Sequence, residues 1–467
     1  MHYDLIVIGS GPAGEKGAAQ AAYFGKRVAL VEREPVVGGA CVNTGTIPSK
    51  TLRESALLLS GFKQREMGAV DLAIRTDISV ADFMYRKDKV VEEQWRLIEA
   101  NLQRHHVDRF QGVARFRSNR DIVVQNERGE SLLTGEIILI ATGSSPHRPP
   151  NVSFDHKFIC DSDSILNLDR IPHTLAVVGA GVIGCEYASI FAALGVEVHL
   201  IDGRTELLGH IDQEIVHVLL ASFETRLKVQ LHLGSDVKSI VKRDNDVLLE
   251  LVDGTRIDAE KVLYAAGRSS NTADLDLGAA GVTTGKRGVI PVNEKYQTNV
   301  PNIYAAGDVI GFPALASTSM EQARVAMVYA FDLKYKTRVA PLLPYGIYTI
   351  PELSLVGVTE EQCKEQGIAY EIGRAYYRHN SRGQIIGDTE GIIKLIFDPE
   401  SLKILGVHVV GENASEILHV GMMAMQFGGT IYAFIESVFN FPTLGDAYKY
   451  AAYDGLGNVA RRKRSQS

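Results

Sequence analysis

The chain has 467 residues, 45% of them hydrophobic and 22% charged, the balance of a globular protein of two to four domains with sizeable cores. A net charge of -7 argues against non-specific attraction to nucleic acid or to an anionic membrane surface. No uninterrupted apolar run approaches the roughly 20 residues that a membrane-spanning helix needs.

The first predicted strand, YDLIVIG, begins at Tyr3 with no charged leader before it, and the four cysteines (Cys41, Cys160, Cys185, Cys363) follow no disulfide or zinc spacing. Both features predict a reducing, cytoplasmic setting and no bound metal. The strand runs into Gly9-Ser10-Gly11-Pro12-Ala13-Gly14, then a helix-compatible stretch, then a second apolar run that ends at Glu32. The same order returns later. TLAVVG leads into Gly179-Ala180-Gly181-Val182-Ile183-Gly184, a helical stretch follows, and VEVHLID ends at Asp202, with an offset of 170 residues at every glycine and at the acid.

One such glycine motif is weak evidence, but two in strand–turn–helix–strand context, each with an acid 18 residues past the last glycine, are strong. The first glycine permits the tight turn, the second admits a pyrophosphate to the backbone, and the third lets helix and strand pack closely. The pyrophosphate then meets free N–H groups and the positive end of the helix dipole. Glu32 and Asp202 are placed to accept ribose hydroxyls. The alternative is that these glycines only turn the chain and these acids only end strands.

Between and beyond the copies lie three apolar runs ending in turns: IILIATG with Thr142 and Gly143, VLYAAGR with Gly267, and NIYAAGD with Asp308. After Pro341 the pattern changes to alternating segments, GIIKLIF and ILGVHVVG, followed by helical ASEILHVGMMAMQF.

The segment GGACVNTGTIPSK, from Gly38 to Lys50, resembles the redox-active stretch of the pyridine nucleotide-disulfide oxidoreductases, and the resemblance extends over nearly the whole chain. It implies an α/β fold of two Rossmann-like dinucleotide-binding domains and a C-terminal α+β dimerisation domain. The implied divisions are an FAD-binding domain at 1–149 and 271–340, an NAD(P)-binding domain at 150–270, and an interface domain at 341–467. FAD is then expected on Gly9, Gly11, Gly14, Glu32, Gly39, Thr46, Lys50, Thr142, Gly143, Asp308 and Ala316. The nicotinamide nucleotide is expected on Gly179, Gly181, Gly184, Asp202, Arg204 and Gly267. Lys50 and Glu186 resemble the lysine–glutamate pair beside flavin N5 and are the expected catalytic residues. The implied assembly is a homodimer or a higher homo-oligomer.

Two departures from the family pattern bear on activity. The flavin-proximal cysteine is replaced by Thr46, leaving Cys41 alone, and a hydroxyl carries no thiol redox chemistry. Phe441 replaces the histidine before Pro-Thr, and Asp446 takes the glutamate position, so the base that serves the thiols is also gone. The segments VIGSGPAGE, GTIPSK, DSDSIL, GAGVIGCEYASIF, GRSSNT, YAAGDVIG and GIYTIPE are similar to the transhydrogenase branch of the family. That branch implies hydride exchange between NADPH and NAD+ through FAD. An NAD(P)H dehydrogenase serving quinones, dyes or oxygen is the rival activity, and a redox-sensing interaction platform is a third reading. Asp202-Gly203-Arg204 offers an acid for NAD and a cation for the 2′-phosphate of NADP, or is merely a turn. The terminal RRKRSQS reads as a solvated basic run.

Overall fold

The computed structural model describes residues 1–61 and 78–466. A seven-stranded sheet places Asp108–Gln111, Val28–Glu32, His2–Ile8, Gly129–Ile140, Asp121–Asn126 and Val113–Phe116 in that order, and Ile303–Ala305 joins it in parallel against Gly129–Ile140. The strands His2–Ile8, Val28–Glu32 and Gly129–Ile140 are parallel neighbours, and every residue of Val28–Glu32 is buried. Layers of other elements cover both faces, which explains why these strands read as continuous apolar runs rather than alternating ones. The helix Pro12–Tyr23 follows the first strand directly, with Pro12 in its first turn where a missing N–H costs nothing.

A second sheet is wholly parallel, in the order Gln230–Leu233, Glu197–Asp202, Thr174–Val178, Lys261–Tyr264, Ile159–Asp161. An antiparallel layer of Val237–Lys242, Val247–Leu251 and Arg256–Ala259 packs on it through Val247, Leu249 and Ile257. The chain passes between the two sheets at Ser144–Pro146 and returns at Arg268–Ser270. These two crossings pair antiparallel with each other, so the outgoing and returning chains form one ribbon.

The third sheet is antiparallel, in the order Tyr345–Ile347, Leu353–Gly357, Ile404–Val410, Ile392–Phe397, Glu371–Tyr376. Helices Ala414–Gln426 and Ala447–Gln466 contribute Leu418, Tyr448 and Ala451 to the core beneath it. On this part of the molecule Met423, Phe427, Val438, Phe441, Tyr450 and Tyr453 are exposed. Arg461 to Arg464 are exposed near the end of the last helix, and Ser467 lies outside the described residues. Among the described residues no helix is long and apolar enough to cross a membrane, and no three His, Cys, Asp or Glu side chains are grouped to hold a metal ion.

One apolar cluster joins all three sheet systems. It includes Leu52 and Ala56 of the helix Thr46–Leu59, Tyr187 and Phe191 of the helix Val182–Ala193, and Ile347, Ile350 and Leu353 of the third sheet region. A polar junction lies apart from it. Lys394, fully buried in the strand Ile392–Phe397, reaches Asp212 at 2.9 Å, Glu360 at 2.9 Å and Glu214 at 3.0 Å, and Arg374 chelates Glu214 at 2.6 and 3.0 Å. Burial works to raise the Glu360 carboxyl, but hydrogen bonds from Lys364 and Lys394 prevail and hold it at about 2. Glu214 is likewise held low by Arg374 and Lys394 against burial.

Removing Lys394 would leave Asp212 as a buried charge without its counter-ion, a change that typically costs about 3–5 kcal/mol. Lys394→Met is therefore expected to lower the urea midpoint of the unfolding step that separates these two regions. A midpoint equal to wild type would contradict that. Because Glu360 and Glu214 have depressed folded values, their stabilisation is full above the ordinary carboxylate range of about 4 and is lost as pH falls toward 2. Urea titrations between pH 7 and pH 3 should show this loss in wild type and a smaller loss in Lys394→Met.

Candidate functional site

A cleft of about 1380 Å³ is lined by residues from the first two sheet systems, with Tyr345, Tyr348 and Ser415 added from the third region. It is larger than the 300–1,000 Å³ usual for a small-molecule site, as two dinucleotides would require. The two glycine motifs form matching ends of it. In the first, Gly9 has φ +102°, and an added Cβ would lie 2.4 Å from the Ala141 carbonyl oxygen. A Cβ on Gly14 would lie 1.8 Å from the Gly9 carbonyl oxygen. In the second, Gly179 has φ +105° and crowds Ala265, and a Cβ on Gly184 would lie 1.8 Å from the Gly179 carbonyl oxygen. The same two clashes, 170 positions apart, show that the repeat is one turn built twice. Gly14 and Gly184 stay behind the turns, whereas Gly9, Gly11, Gly179 and Gly181 line the cleft.

The two acids are also held alike. The Ser10 N–H donates to Glu32 Oε2 at 2.9 Å, and the Ala180 N–H donates to Asp202 Oδ2 at 2.7 Å. Each acid is thus fixed at the end of its strand by the second residue of its glycine motif. Gly39, with φ +56°, brings its backbone against Gly11, where a Cβ would come within 2.8 Å of Gly11 Cα.

The remaining predicted residues converge on the same cleft. Thr46, Thr142, Gly143, Gly267, Asp308 and Ala316 all line it. Asp308 Oδ2 accepts from Ser144 Oγ at 2.8 Å, and Ser144 Oγ accepts in turn from Arg268 Nε at 2.7 Å. Ser144 and Arg268 belong to the crossing ribbon, so the position of Asp308 is tied to it. Thr142 Oγ1 is buried without a hydrogen-bond partner. With the bare backbone at Gly11 and Gly39 and the acid at Glu32, this orphaned hydroxyl makes the first half-site fit a dinucleotide such as FAD. Beside Gly181 an added Cβ meets nothing within 4 Å, so the second half-site offers open backbone for another pyrophosphate.

Between the half-sites, Lys50 Nζ lies 2.6 Å from Glu186 Oε2. Lys50 sits one turn into the helix Thr46–Leu59, and Glu186 one turn into the helix Val182–Ala193. The Glu186 side chain is only 5% exposed, which sets this pair apart from an ordinary surface ion pair. Cys41 lines the same wall; burial pushes its thiol up despite a hydrogen bond to Thr46, so the reactive thiolate is disfavoured. Cys160, Cys185 and Cys363 are buried, and burial pushes Cys160 up to about 11. Phe441, 72% exposed, and Asp446 do not line the cleft of their own chain.

Asp202 and Arg204 also meet, but on each other. Arg204 Nε and Nη2 chelate the Asp202 carboxylate at 2.9 and 2.8 Å. Burial tends to raise Asp202, and the hydrogen bonds from Arg204 and from the Ala180 N–H prevail and lower it. Two cleft residues lie in segments that the sequence marks only by resemblance, DSDSIL and GIYTIPE. Asp163, pushed up by burial against the lowering effect of Arg268, and Tyr348 are placed at the cleft only by the fold.

The comparisons with known proteins agree with this geometry. The mycobacterial protein named soluble pyridine nucleotide transhydrogenase, from Mycobacterium bovis BCG, is 45% identical over 460 residues, covering 98% of each chain. A protein of the same name from Chromohalobacter salexigens is 42% identical over 463 residues, covering 98% of this chain and 99% of that one. Among solved structures, LpdA from Mycobacterium tuberculosis superposes with a TM-score of 0.88 at 27% identity, over 96% of this chain and 99% of that one. The Cu(II) complex of the flavoprotein disulfide reductase RclA from Escherichia coli superposes with a TM-score of 0.88 at 28% identity, over 97% and 99%. Residues 3–327 match the family model for pyridine nucleotide-disulphide oxidoreductase, residues 343–452 match its dimerisation domain, and the chain belongs to this family.

Proposed function

We propose that this chain is a soluble pyridine nucleotide transhydrogenase: it passes hydride from NADPH to NAD+ with FAD as the bound cofactor. The observation that carries the reading is a cleft with two dinucleotide half-sites and, on the wall between them, a hydroxyl at Thr46 and only one thiol, Cys41. The names of the relatives at 41–45% identity over 98% of the chain support it. We place the protein in the cytoplasm and read it as a homodimer formed through 341–467. The FAD-binding part is taken as 1–149 with 271–340, and the nicotinamide part as 150–270.

On this reading Gly9, Gly11, Gly39, Glu32, Thr142, Gly143, Asp308 and Ala316 hold FAD, with Gly14 closing the turn behind it. Bound FAD supplies a centre that holds the hydride between its donor and its acceptor. The chain's own residues supply position and charge. Lys50, held by Glu186, sets a positive charge at the junction of the half-sites, where it stabilises negative charge as it develops. Gly179, Gly181 and Gly267 form the floor of the nicotinamide site, with Gly184 behind, and NADPH and NAD+ occupy it in turn. Donor and acceptor are both nicotinamides, so no side chain has to move a proton. Orientation of the two rings is the main task of the protein.

Steady-state assays are expected to show NADH formed from NADPH and NAD+ with parallel double-reciprocal lines, and no turnover of lipoamide, glutathione disulfide or mercuric ion. Brisk turnover of any of those three, or intersecting lines, would contradict the reading. Quinone turnover without NADH formation would favour the rival dehydrogenase. Thr46→Cys alone should restore little disulfide reduction, because Phe441 supplies no base.

The closed Asp202–Arg204 pair supports dual use of the nicotinamide site. NAD(H) needs the carboxylate, which Arg204 must release; the 2′-phosphate of NADP(H) needs the guanidinium, which Asp202 must release. A lost charge-assisted contact is worth about 1.5–3 kcal/mol, roughly tenfold to 150-fold in affinity. Arg204→Ala is expected to weaken NADPH by that much and leave NADH nearly unchanged or tighter. Asp202→Ala is expected to weaken NADH instead. Equal losses for both nucleotides in each variant, read as Kd by nicotinamide fluorescence, would remove this pair as the selectivity element.

A further inference from the structure

The Lys50–Glu186 pair has a third member that belongs to neither half-site. The Tyr348 N–H donates to Glu186 Oε1 at 2.9 Å, which occupies the carboxylate oxygen that Lys50 does not use. The Tyr348 ring lies over Lys50 Nζ, with 5.0 Å from nitrogen to ring centroid. Tyr348 lines the cleft and follows directly on the strand Tyr345–Ile347 of the third sheet.

The backbone around Tyr348 is anchored from all sides. Arg53, on the same helix as Lys50 and 6% exposed, donates from Nε to the Thr349 carbonyl at 3.0 Å, and its Nη2 lies 3.8 Å from Glu352. Ser222 Oγ, on the helix Gln213–Thr225 beside the second sheet, donates to the Ile350 carbonyl at 3.3 Å. Ile347 and Ile350 are buried in the apolar cluster shared with Leu52 and Phe191. The ring is therefore presented by an anchored loop, while the Lys50 side chain, 27% exposed, reaches it from the opposite wall of the junction on a long unbranched stem.

We infer that Tyr348 is a positioning residue: its ring holds the Lys50 ammonium toward the redox centre, so that the third region tunes a site formed by the first two. The inference rests on the reading of Lys50 given above. An aromatic face attracts a cation without neutralising it, so the charge stays available to the centre. Glu186 alone gives Lys50 one anchor; the ring adds a second contact to the same ammonium, and the Tyr348 N–H fixes the carboxylate that makes the first. The Tyr348 hydroxyl is not needed for this.

The test compares FAD-loaded wild type, Tyr348→Leu and Tyr348→Phe by two readouts other than turnover. One is the midpoint potential of bound FAD from anaerobic spectroelectrochemistry. The other is the rate at which trace acetic anhydride acylates Lys50, read by mass spectrometry against the other lysines. Tyr348→Leu is expected to lower the potential, with a tenfold weaker stabilisation of the reduced form corresponding to about 30 mV for a two-electron couple. It is also expected to raise Lys50 acylation several-fold. Tyr348→Phe should restore both values to wild type. An unchanged potential, unchanged acylation, or a Phe variant as altered as the Leu variant would each overturn the inference. If Tyr348→Leu does not fold, Tyr348→Phe against Tyr348→Met applies the same comparison. Absence of NADPH-to-NAD+ exchange in wild type would instead remove the functional reading on which the inference rests.

Discussion

A 2.6 Å contact between Lys50 and Glu186 is the point on which the rest of the site depends. The lysine belongs to a helix beside the first sheet and the glutamate to a helix beside the second, 136 residues further along the chain. The charge can be kept in the cleft only if the two sheet systems hold a fixed distance and angle. Two devices hold them so. The crossing ribbon of Ser144–Pro146 and Arg268–Ser270 ties the strands together at one side of the cleft. The apolar cluster around Leu52, Phe191 and Ile350 ties the helices together below the pair. A desolvated ion pair is a weak source of stability, and its expected value here is in fixing the placement of one cation.

The duplicated glycine turns set the other constraint. A side chain at Gly14 or Gly184 would enter the carbonyl of the first glycine of its own motif at 1.8 Å, so each third glycine is a demand of helix-on-strand packing and not of ligand contact. Gly11 and Gly181 face the cleft, where the demand comes from whatever approaches the backbone. The single repeat therefore separates into a glycine that serves packing and a glycine that keeps the backbone open to the cleft. Neither Thr46, which lines the cleft, nor Phe441, which does not, belongs to either glycine turn, so a hydroxyl and an apolar ring at those positions leave both turns as they are.

Much of this was legible in the chain because it is encoded locally. Each glycine turn lies within one short segment, its acid 18 residues on, and the apolar runs mark the buried parallel strands directly. The strand pattern of GIIKLIF and ILGVHVVG was also visible, and these segments form Ile392–Phe397 and Ile404–Val410. The parts that were not legible depend on contacts between distant segments. Tyr348 acquires its place from Glu186, 162 residues away, and from an arginine on another helix. Lys394 sits in the middle of an apolar strand, and the acids nearest to it in sequence, Glu390 and Asp398, are not the ones it meets; its partner Asp212 lies 182 residues earlier. Asp202 and Arg204 stand two residues apart in the sequence, which offers them as candidate nucleotide-selecting groups or as a turn; that each satisfies the other is a matter of side-chain geometry.

The most direct measurement is an anaerobic titration of the FAD-loaded protein, followed by its visible absorbance. With no thiol pair to fill, one equivalent of NADPH per bound FAD should complete the bleaching, and one equivalent of NAD+ should restore the yellow colour with NADH formed in equal amount. Uptake of two equivalents per FAD, or a bleached protein that NAD+ fails to recolour, would contradict a transhydrogenase built on a cleft without a redox-active disulfide.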